Sequence, residues 1–354
     1  MNLTLHLTEK CNMACAYCTR DKTSARMSVD VLHAACELAF SEGSHAGLCF
    51  FGGEPLLEQE LIGEALRYCE TLSAQTGKPV QYRMTTNGTL LTEPFLKRAK
   101  EAGIGIGLSF EGLAQDTCRR FADGSGSFAV VEDKAKLLLR YLPGSYAMMT
   151  IAPEAAEQFE ASVRYLFGLG FRRITATIAY GKCVTWTDRA LRIVEEQLRG
   201  IAAFYSEKHL AGDPFYFSPI DGKIRDLLSG YSPAERCHLG MRQAPVTPDG
   251  RVYACTQFIG DEAYCLGDVF RGIDSERRMA LAKKDATPET CLDCAVRTRC
   301  TNSCGCLNRL ETGDERRVSP LQCTYERMLI ALADETADML YEQAPELFVK
   351  RHIS

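Results

Sequence analysis

A chain of 354 residues that is 46% hydrophobic and 25% charged has the make-up of a globular protein of about two domains, and no apolar run in it is long enough to span a bilayer. A net charge of −5 and the lack of a basic tract give no support to a nucleic-acid partner. Seventeen cysteines without a targeting segment point to the reducing cytoplasm, and to thiols that hold metal rather than form disulfides.

The first strand is expected over residues 3–8, and directly after it comes Cys11-x3-Cys15-x2-Cys18. Structural zinc sites use C-x2-C pairs and four protein ligands. Three thiolates at these unequal spacings fit a cubic [4Fe–4S] cluster with one iron left free for a small molecule. Ser28 then reads as the N-cap of a helix over 29–40. Strands over 47–51, 80–86, 104–110, 146–151 and 173–178 alternate with helices over 56–73, 92–102, 128–141 and 154–169. Six β/α units within residues 1–210 predict an α/β fold, a partial (β/α)6 TIM-like barrel whose active site lies at the C-terminal strand ends.

The motifs fall at those ends. Phe51-Gly52-Gly53-Glu54-Pro55 follows the second strand; adjacent glycines let backbone approach a ligand, and the carboxylate beside them can accept from an ammonium group. Thr85-Thr86-Asn87-Gly88-Thr89 follows the third strand and Ser109-Phe110-Glu111-Gly112 the fourth, each with short polar side chains suited to a ribose or a carboxylate. Asp116-x-x-Arg119 and Gly124-x-Gly126-Ser127-Phe128 come next. Each alone could be an ordinary turn, whereas five in this order argue for one ligand site.

With Tyr17 in the aromatic place of C-x3-C-x-(aromatic)-C, the chain resembles the radical SAM superfamily. The resemblance implies that Cys11, Cys15 and Cys18 hold a [4Fe–4S] cluster whose open iron chelates S-adenosyl-L-methionine. It implies that the reduced cluster splits this cofactor into methionine and a 5′-deoxyadenosyl radical. Tyr17, Gly52, Gly53, Glu54, Thr86, Asn87, Ser109, Glu111 and Arg119 would surround the cofactor, the Gly-Gly-Glu-Pro element taking its amino group. Two departures are visible: Glu111 replaces the family's usual aspartate, and Met148 stands where relatives often carry a cofactor-holding arginine. Arg119, Arg120 or Lys182 could substitute for that arginine. Among the scattered cysteines, Cys36, Cys49 and Cys69 are expected to pack in the core, while Cys183, after the sixth strand, lies at the reactive rim; Cys118 is a further one.

A helix is expected over 186–208 and a Pro- and Gly-punctuated connection over 212–234, with a domain linker at 211–235. Nine cysteines follow, with an Asp249-Gly250 hairpin turn between the first two. Cys237, Cys255, Cys291, Cys294, Cys300, Cys304 and Cys323 resemble the seven-cysteine pattern of the SPASM domain, here over 236–325. That resemblance implies two auxiliary [4Fe–4S] clusters, three clusters in all: one held by Cys291, Cys294, Cys300 and Cys323, the other by Cys237, Cys255 and Cys304, with Cys265 or Cys306 as a possible fourth ligand. Without that fourth ligand, one iron is open to a substrate thiolate; with it, the cluster is closed. A C-terminal helix is expected over 322–349, docked on the barrel, with residues 326–354 as the closing unit.

The resemblance implies an oxidoreductase of the cytoplasm that modifies a peptide or protein and draws electrons from a flavodoxin- or ferredoxin-type reductant. The leading expectation is maturation of a ribosomally made peptide by hydrogen abstraction and closure of a thioether or C–C cross-link. Many such maturases carry a leader-binding domain before the barrel; with a first strand at residue 3, leader recognition is expected elsewhere or in a separate protein. The second expectation is a sulfatase-maturing enzyme that makes formylglycine from Cys or Ser, although Thr256 occupies the place after Cys255 where that branch usually has an acid. The third is a non-catalytic iron–sulfur carrier, which would need neither barrel nor Gly-Gly-Glu element.

Overall fold

The computed structural model describes residues 1–181, 183–229, 239–283, 289–300, 304–315 and 317–353. Eleven strands form one sheet: β1 (Asn2–Thr8), β2 (Ala46–Gly52), β3 (Val80–Thr86), β4 (Gly105–Ser109), β5 (Tyr146–Ile151), β6 (Arg173–Ile178), β7 (Tyr216–Phe217), β8 (Gln243–Val246), β9 (Arg251–Tyr253), β10 (Cys265–Asp268) and β11 (Gly272–Ile273). Their order is β11-β10-β9-β8-β1-β2-β3-β4-β5-β6-β7. Strands β1 to β6 pair in parallel in chain order, as the alternating pattern predicts. The helices between them are α1 (Val29–Ser41), α2 (Gln59–Thr76), α3 (Glu93–Glu101), α4 (Phe128–Tyr141) and α5 (Phe159–Leu169).

Strand β1 shows why the sequence folds this way. Leu3, Leu5 and Leu7 alternate with Thr4, His6 and Thr8, and a period of two sends the two sets to opposite faces of the sheet. The leucines are fully buried in the main core with Leu32, Ala35 and Phe40 of α1. Ser28 caps α1 as expected, its hydroxyl accepting from the Val31 amide at 3.2 Å.

His6 belongs to the polar set. It is 6% exposed, lies against Phe51 with ring centroids 5.2 Å apart, and its Nε2 has no hydrogen-bond partner among the described residues. Burial, with a smaller push from Arg20, lowers its pKa from 6.5 to about 3. The folded value lies below the unfolded one, so the neutral ring is no burden above pH 6.5. Stability is then lost as pH falls from 6.5 toward 3, by about 2 kcal/mol at pH 5. His6→Gln is expected to flatten that part of the profile, which urea unfolding midpoints between about pH 7 and pH 5 would reveal.

Two elements depart from expectation. The stretch read as a connection over 212–234 contains β7, which pairs in parallel with β6, and α7 (Ser218–Ser229). Pro219 and Gly222 look like loop punctuation, but proline is at home in the first turn of a helix. What fixes the segment is distant in sequence: buried Asp221 accepts from the Phe217 amide at 2.6 Å, the Tyr205 hydroxyl at 3.0 Å and Arg351 Nη2 at 3.1 Å. Tyr205 lies on α6 (Asp188–Leu210), a helix foreseen within two residues.

The other departure is at the C-terminus, where the expected helix is two. After α8 (Gly305–Thr312), α9 (Pro320–Gln343) packs on α7 and α6, and α10 (Pro345–His352) begins at a proline that the preceding helix cannot absorb. The Asp249-Gly250 turn does join antiparallel strands, β8 and β9, with Gly250 at φ 87°. Strand β8 also pairs in parallel with β1, so the hairpin extends the same sheet.

Candidate functional site

A cavity of about 580 Å³ opens where β1 to β6 end, and Cys11, Cys15 and Cys18 all line it. The cysteine loop is held on both sides. Residues Met13–Cys15 pair antiparallel with Arg119–Phe121, setting Cys15 opposite Arg119. On the other side, the amides of Gly53 and Glu54 donate to the Thr8 and Lys10 carbonyls at 2.7 and 2.8 Å. Asn87 Nδ2 donates to Asn12 Oδ1 at 2.8 Å, and Asn12 Nδ2 to Thr89 Oγ1 at 2.9 Å. Asn12 stands in no ligand motif of its own, and Thr89, from the polar motif after the third strand, is engaged in holding it; their pairing spans distant parts of the chain.

The glycines have a structural reason that the sequence did not disclose. A Cβ on Gly53 would fall on the Lys10 carbonyl, and one on Gly52, at φ 130°, on the Thr8 carbonyl. The cysteine loop itself therefore presses against this turn. Gly53→Ala is expected to displace the loop and lower iron retention by the reconstituted protein several-fold, with native-like circular dichroism; unchanged iron content would contradict this packing argument.

Glu54 is fully buried on the cavity wall. Its carboxylate accepts from the Leu56 amide at 3.0 Å, the Thr86 hydroxyl at 2.6 Å and the Asn87 amide at 2.7 Å, which ties the end of β2 to the end of β3. Burial raises its pKa while these three donors oppose the rise. A carboxylate has about four lone-pair sites, so one remains for a ligand cation. Thr86, Asn87 and Ser109 line the same space.

Opposite stands a second buried carboxylate. Glu111 is 2% exposed and does not line the cavity; it accepts from the Tyr17 hydroxyl, from Arg119 Nε at 2.8 Å and from the Thr150 amide at 2.6 Å. Arg119 lies over the Tyr17 ring and turns Nη1 toward Cys15 Sγ at 3.7 Å. Burial pushes the Cys11 and Cys15 thiols upward, and Arg119 draws Cys15 back. A cationic metal would supply what these thiols need to ionise. Of the candidates to replace the missing arginine, Arg119 is on the cavity, Arg120 points to the Gly124 carbonyl at 3.1 Å, and Lys182 lies outside the described residues. Met148 lines a separate cavity of about 540 Å³ at the N-terminal strand ends, together with Cys49.

The C-terminal cysteines divide into two groups. Cys304 and Cys306 line the same cavity as Cys11, Cys15 and Cys18, as do Thr256 and Gln257. Arg20, another residue missed in the sequence, donates to the Thr256 carbonyl and so bridges the positions next to Cys18 and Cys255. Cys265 is buried off the cavity, with its thiol 3.5 Å from the Gly267 carbonyl. Elsewhere the Cys294 amide closes a turn on Cys291 at 3.2 Å, and Arg327 on α9 faces Cys294 and Cys323. Cys300 ends a short helical turn that follows them. Cys237 lies outside the described residues. Cys36, Cys69 and Cys118 are buried, and exposed Cys183 lies 3.9 Å from the Cys18 carbonyl.

Among the described residues, no three His, Cys, Asp or Glu side chains close on a single metal ion. Thiolates that bind separate corners of a cube stand wider apart than the ligands of one ion, and the donor set is all sulfur, so the residues present fit an iron–sulfur cluster.

Residues 5–166 match the family model of the Radical SAM superfamily. Over 353 residues the chain is 24% identical to PqqA peptide cyclase of Gluconobacter oxydans, covering 91% of this chain and 90% of that one. It is 23% identical over 280 residues to the cysteine-type anaerobic sulfatase-maturating enzyme of Clostridium perfringens, covering 73% and 74%. A match to an uncharacterized protein of Methanocaldococcus jannaschii, 28% identical over 177 residues, takes in 49% of this chain and 61% of that protein. Among solved structures, native anSMEcpe with bound AdoMet and Kp18Cys peptide superposes with a TM-score of 0.82 at 20% identity, covering 96% of this chain and 99% of that one.

Proposed function

We propose, on the premise that the chain carries a radical SAM domain over residues 5–166, that this enzyme matures a ribosomally made peptide, taking hydrogen from a precursor residue and closing a thioether or carbon–carbon cross-link. The observation that carries the proposal is the one cavity that Cys11, Cys15 and Cys18 line together with Cys304 and Cys306. Bound there, S-adenosyl-L-methionine and its [4Fe–4S] cluster would supply a carbon radical able to attack an unactivated C–H bond, which no acid–base side chain can do.

The chain's own residues bind and orient. Cys11, Cys15 and Cys18 would hold the cofactor-binding cluster. Glu54 offers its remaining lone pair to an ammonium, Thr86, Asn87 and Ser109 offer short polar groups, and Arg119 offers the cation that Met148 does not. Glu111 acts behind them by fixing Tyr17 and Arg119. Of two auxiliary clusters, one would rest on Cys291, Cys294, Cys300 and Cys323, and the other on Cys237, Cys255 and Cys304. We divide the chain accordingly into a barrel over 1–210, a linker over 211–235 that includes α7, an auxiliary-cluster domain over 236–325 and a terminal helical unit over 326–354.

Similarity to PqqA peptide cyclase along nearly the full length of both chains supports a peptide substrate. A separate leader-binding protein and a flavodoxin- or ferredoxin-type reductant would complete the system in the cytoplasm; among the described residues no helix is long and apolar enough to cross a membrane. The second reading, formylglycine formation, is favoured by the similarity over 280 residues to the cysteine-type anaerobic sulfatase-maturating enzyme and opposed by Thr256 after Cys255. Mass spectrometry of each candidate substrate after anaerobic turnover separates them. Loss of two hydrogens from a precursor peptide supports the cross-link, whereas exchange of a cysteine sulfur for an aldehyde oxygen in a sulfatase peptide replaces that reading with the second. Reduced protein that leaves S-adenosyl-L-methionine uncleaved would leave a non-catalytic iron–sulfur protein.

A further inference from the structure

The cavity of about 540 Å³ at the N-terminal strand ends takes no part in the cysteine-lined site, although Thr85 borders both. A period of two along each strand sends alternate residues to opposite faces. Ala147 and Ile174 are fully buried in the main core, and their neighbours Tyr146, Met148, Arg173 and Thr175 line the cavity. Barrel interiors are ordinarily filled by layers of bulky side chains. Here β2 contributes Gly47 to the lining and β4 contributes Gly105 and Gly107, and the space stays hollow. A Cβ on Gly105 would meet nothing closer than the Tyr82 carbonyl at 3.8 Å.

The charges around this hollow are of one sign. No Asp or Glu lines it, and its charged groups are the guanidiniums of Arg83 and Arg173. Arg173 donates to the Tyr146 hydroxyl at 3.2 Å and lies over that ring, so it is held in place without a counter-charge. Arg83 makes no ion pair among the described residues. Both arginines are exposed at the mouth of the cavity, where a ligand from solution can reach them.

We infer that this cavity is a second binding site, for a polar small molecule that carries a carboxylate or a phosphate, and that Arg83 and Arg173 hold its anionic groups. The planar fork of a guanidinium matches either oxyanion bidentately. A concavity lined by one sign of charge concentrates ions of the other, and its volume is that of a small-molecule pocket. A bland alternative leaves both arginines as solvated surface groups. Solvation accounts for their exposure but not for the acid-free hollow that they border. The inference does not depend on which peptide or protein the cysteine-lined site acts on.

Cys49 of β2 is half-buried on the wall of the same cavity and serves as a reporter in the full-length reconstituted protein. Iodoacetate carries a carboxylate and iodoacetamide is its neutral analogue; with each, the thiolate forms a C–S bond and iodide leaves. Peptide mass spectrometry under anaerobic conditions and at constant ionic strength reads the two rates at Cys49. The ratio of the iodoacetate rate to the iodoacetamide rate is expected to exceed that of free cysteine by roughly fivefold, the factor that corresponds to one exposed ion pair. Arg83→Gln and Arg173→Gln should each lower it, and the double variant should bring it to the value for free cysteine. Arg83 also favours the Cys49 thiolate, an effect on both reagents that the ratio cancels. Succinate or inorganic phosphate should protect Cys49 where neutral succinamide and chloride do not, and the stronger protector tells a carboxylate ligand from a phosphate ligand. Equilibrium dialysis against labelled succinate and phosphate reads the site without relying on the thiol, with binding expected in the parent and lost in the double variant. Binding of neither anion would overturn the site, as would a Cys49 ratio no higher than that of free cysteine. A raised ratio or undiminished binding in the double variant would overturn the role of the arginines.

Discussion

Cys15→Ala is expected to take formation of 5′-deoxyadenosine below detection while leaving the fold in place. The cysteine lies where the short strand Met13–Cys15 meets Arg119–Phe121, so its sulfur is positioned by main-chain pairing and its neighbours need not move when it is removed. What goes is one of three donors lining the cavity, and the cluster they would hold loses a third of its protein thiolates. Cys294→Ala provides the contrast. It lies in the separate group with Cys291 and Cys323, beside Arg327 on α9, and is expected to spare part of the cofactor cleavage while ending productive turnover. Chromatography of the nucleoside and mass spectrometry of the peptide read the two effects independently. Full cleavage by Cys15→Ala would remove the proposed catalytic cluster.

The second large effect falls on stability. Glu111→Ala is expected to destabilise the protein by about 3–5 kcal/mol, because it leaves the guanidinium of Arg119 buried without its partner. The Tyr17 hydroxyl and the Thr150 amide lose an acceptor in the same step. Both ion-pair members are nearly inaccessible, with side-chain exposures of 12% for Arg119 and 2% for Glu111, so solvent screening does little to soften the loss. Glu111→Gln keeps the shape and one acceptor oxygen and should fall between the alanine variant and the parent. Urea unfolding of the cluster-free proteins measures the difference, and an alanine variant within 1 kcal/mol of the parent, roughly the scale of a surface change, would show that the pair is not the brace described.

Signals confined to a few neighbouring residues were readable in the sequence, and signals that depend on remote partners were not. Leu3, Leu5 and Leu7 against Thr4, His6 and Thr8 gave β1 its faces, and Ser28 announced α1. The close spacing of Cys11, Cys15 and Cys18 singled out three residues that do line one cavity. By contrast, α7 hid behind Pro219 and Gly222, since the group that anchors its start, Asp221, is satisfied by Tyr205 and Arg351 from other helices. The reason for Gly53 is the Lys10 carbonyl, which no local pattern contains. Glu111 reads as a ligand-facing residue because it stands in a motif at a strand end, yet it lies off the cavity, with its carboxylate turned to Tyr17, Arg119 and Thr150. Arg20 has no motif at all and gains its position from Thr256.

The parallel pairing of β8 with β1 has a consequence for biosynthesis. Asn2 faces Gln243, and Leu5 faces Val246, so β1 waits for a segment made about 240 residues after it before its second rim of amides and carbonyls is satisfied. Until then the nascent chain offers a bare strand edge of the kind that recruits other chains. A product released before residue 243 would carry the helices and the parallel core yet keep that edge exposed, and would be prone to self-association rather than soluble.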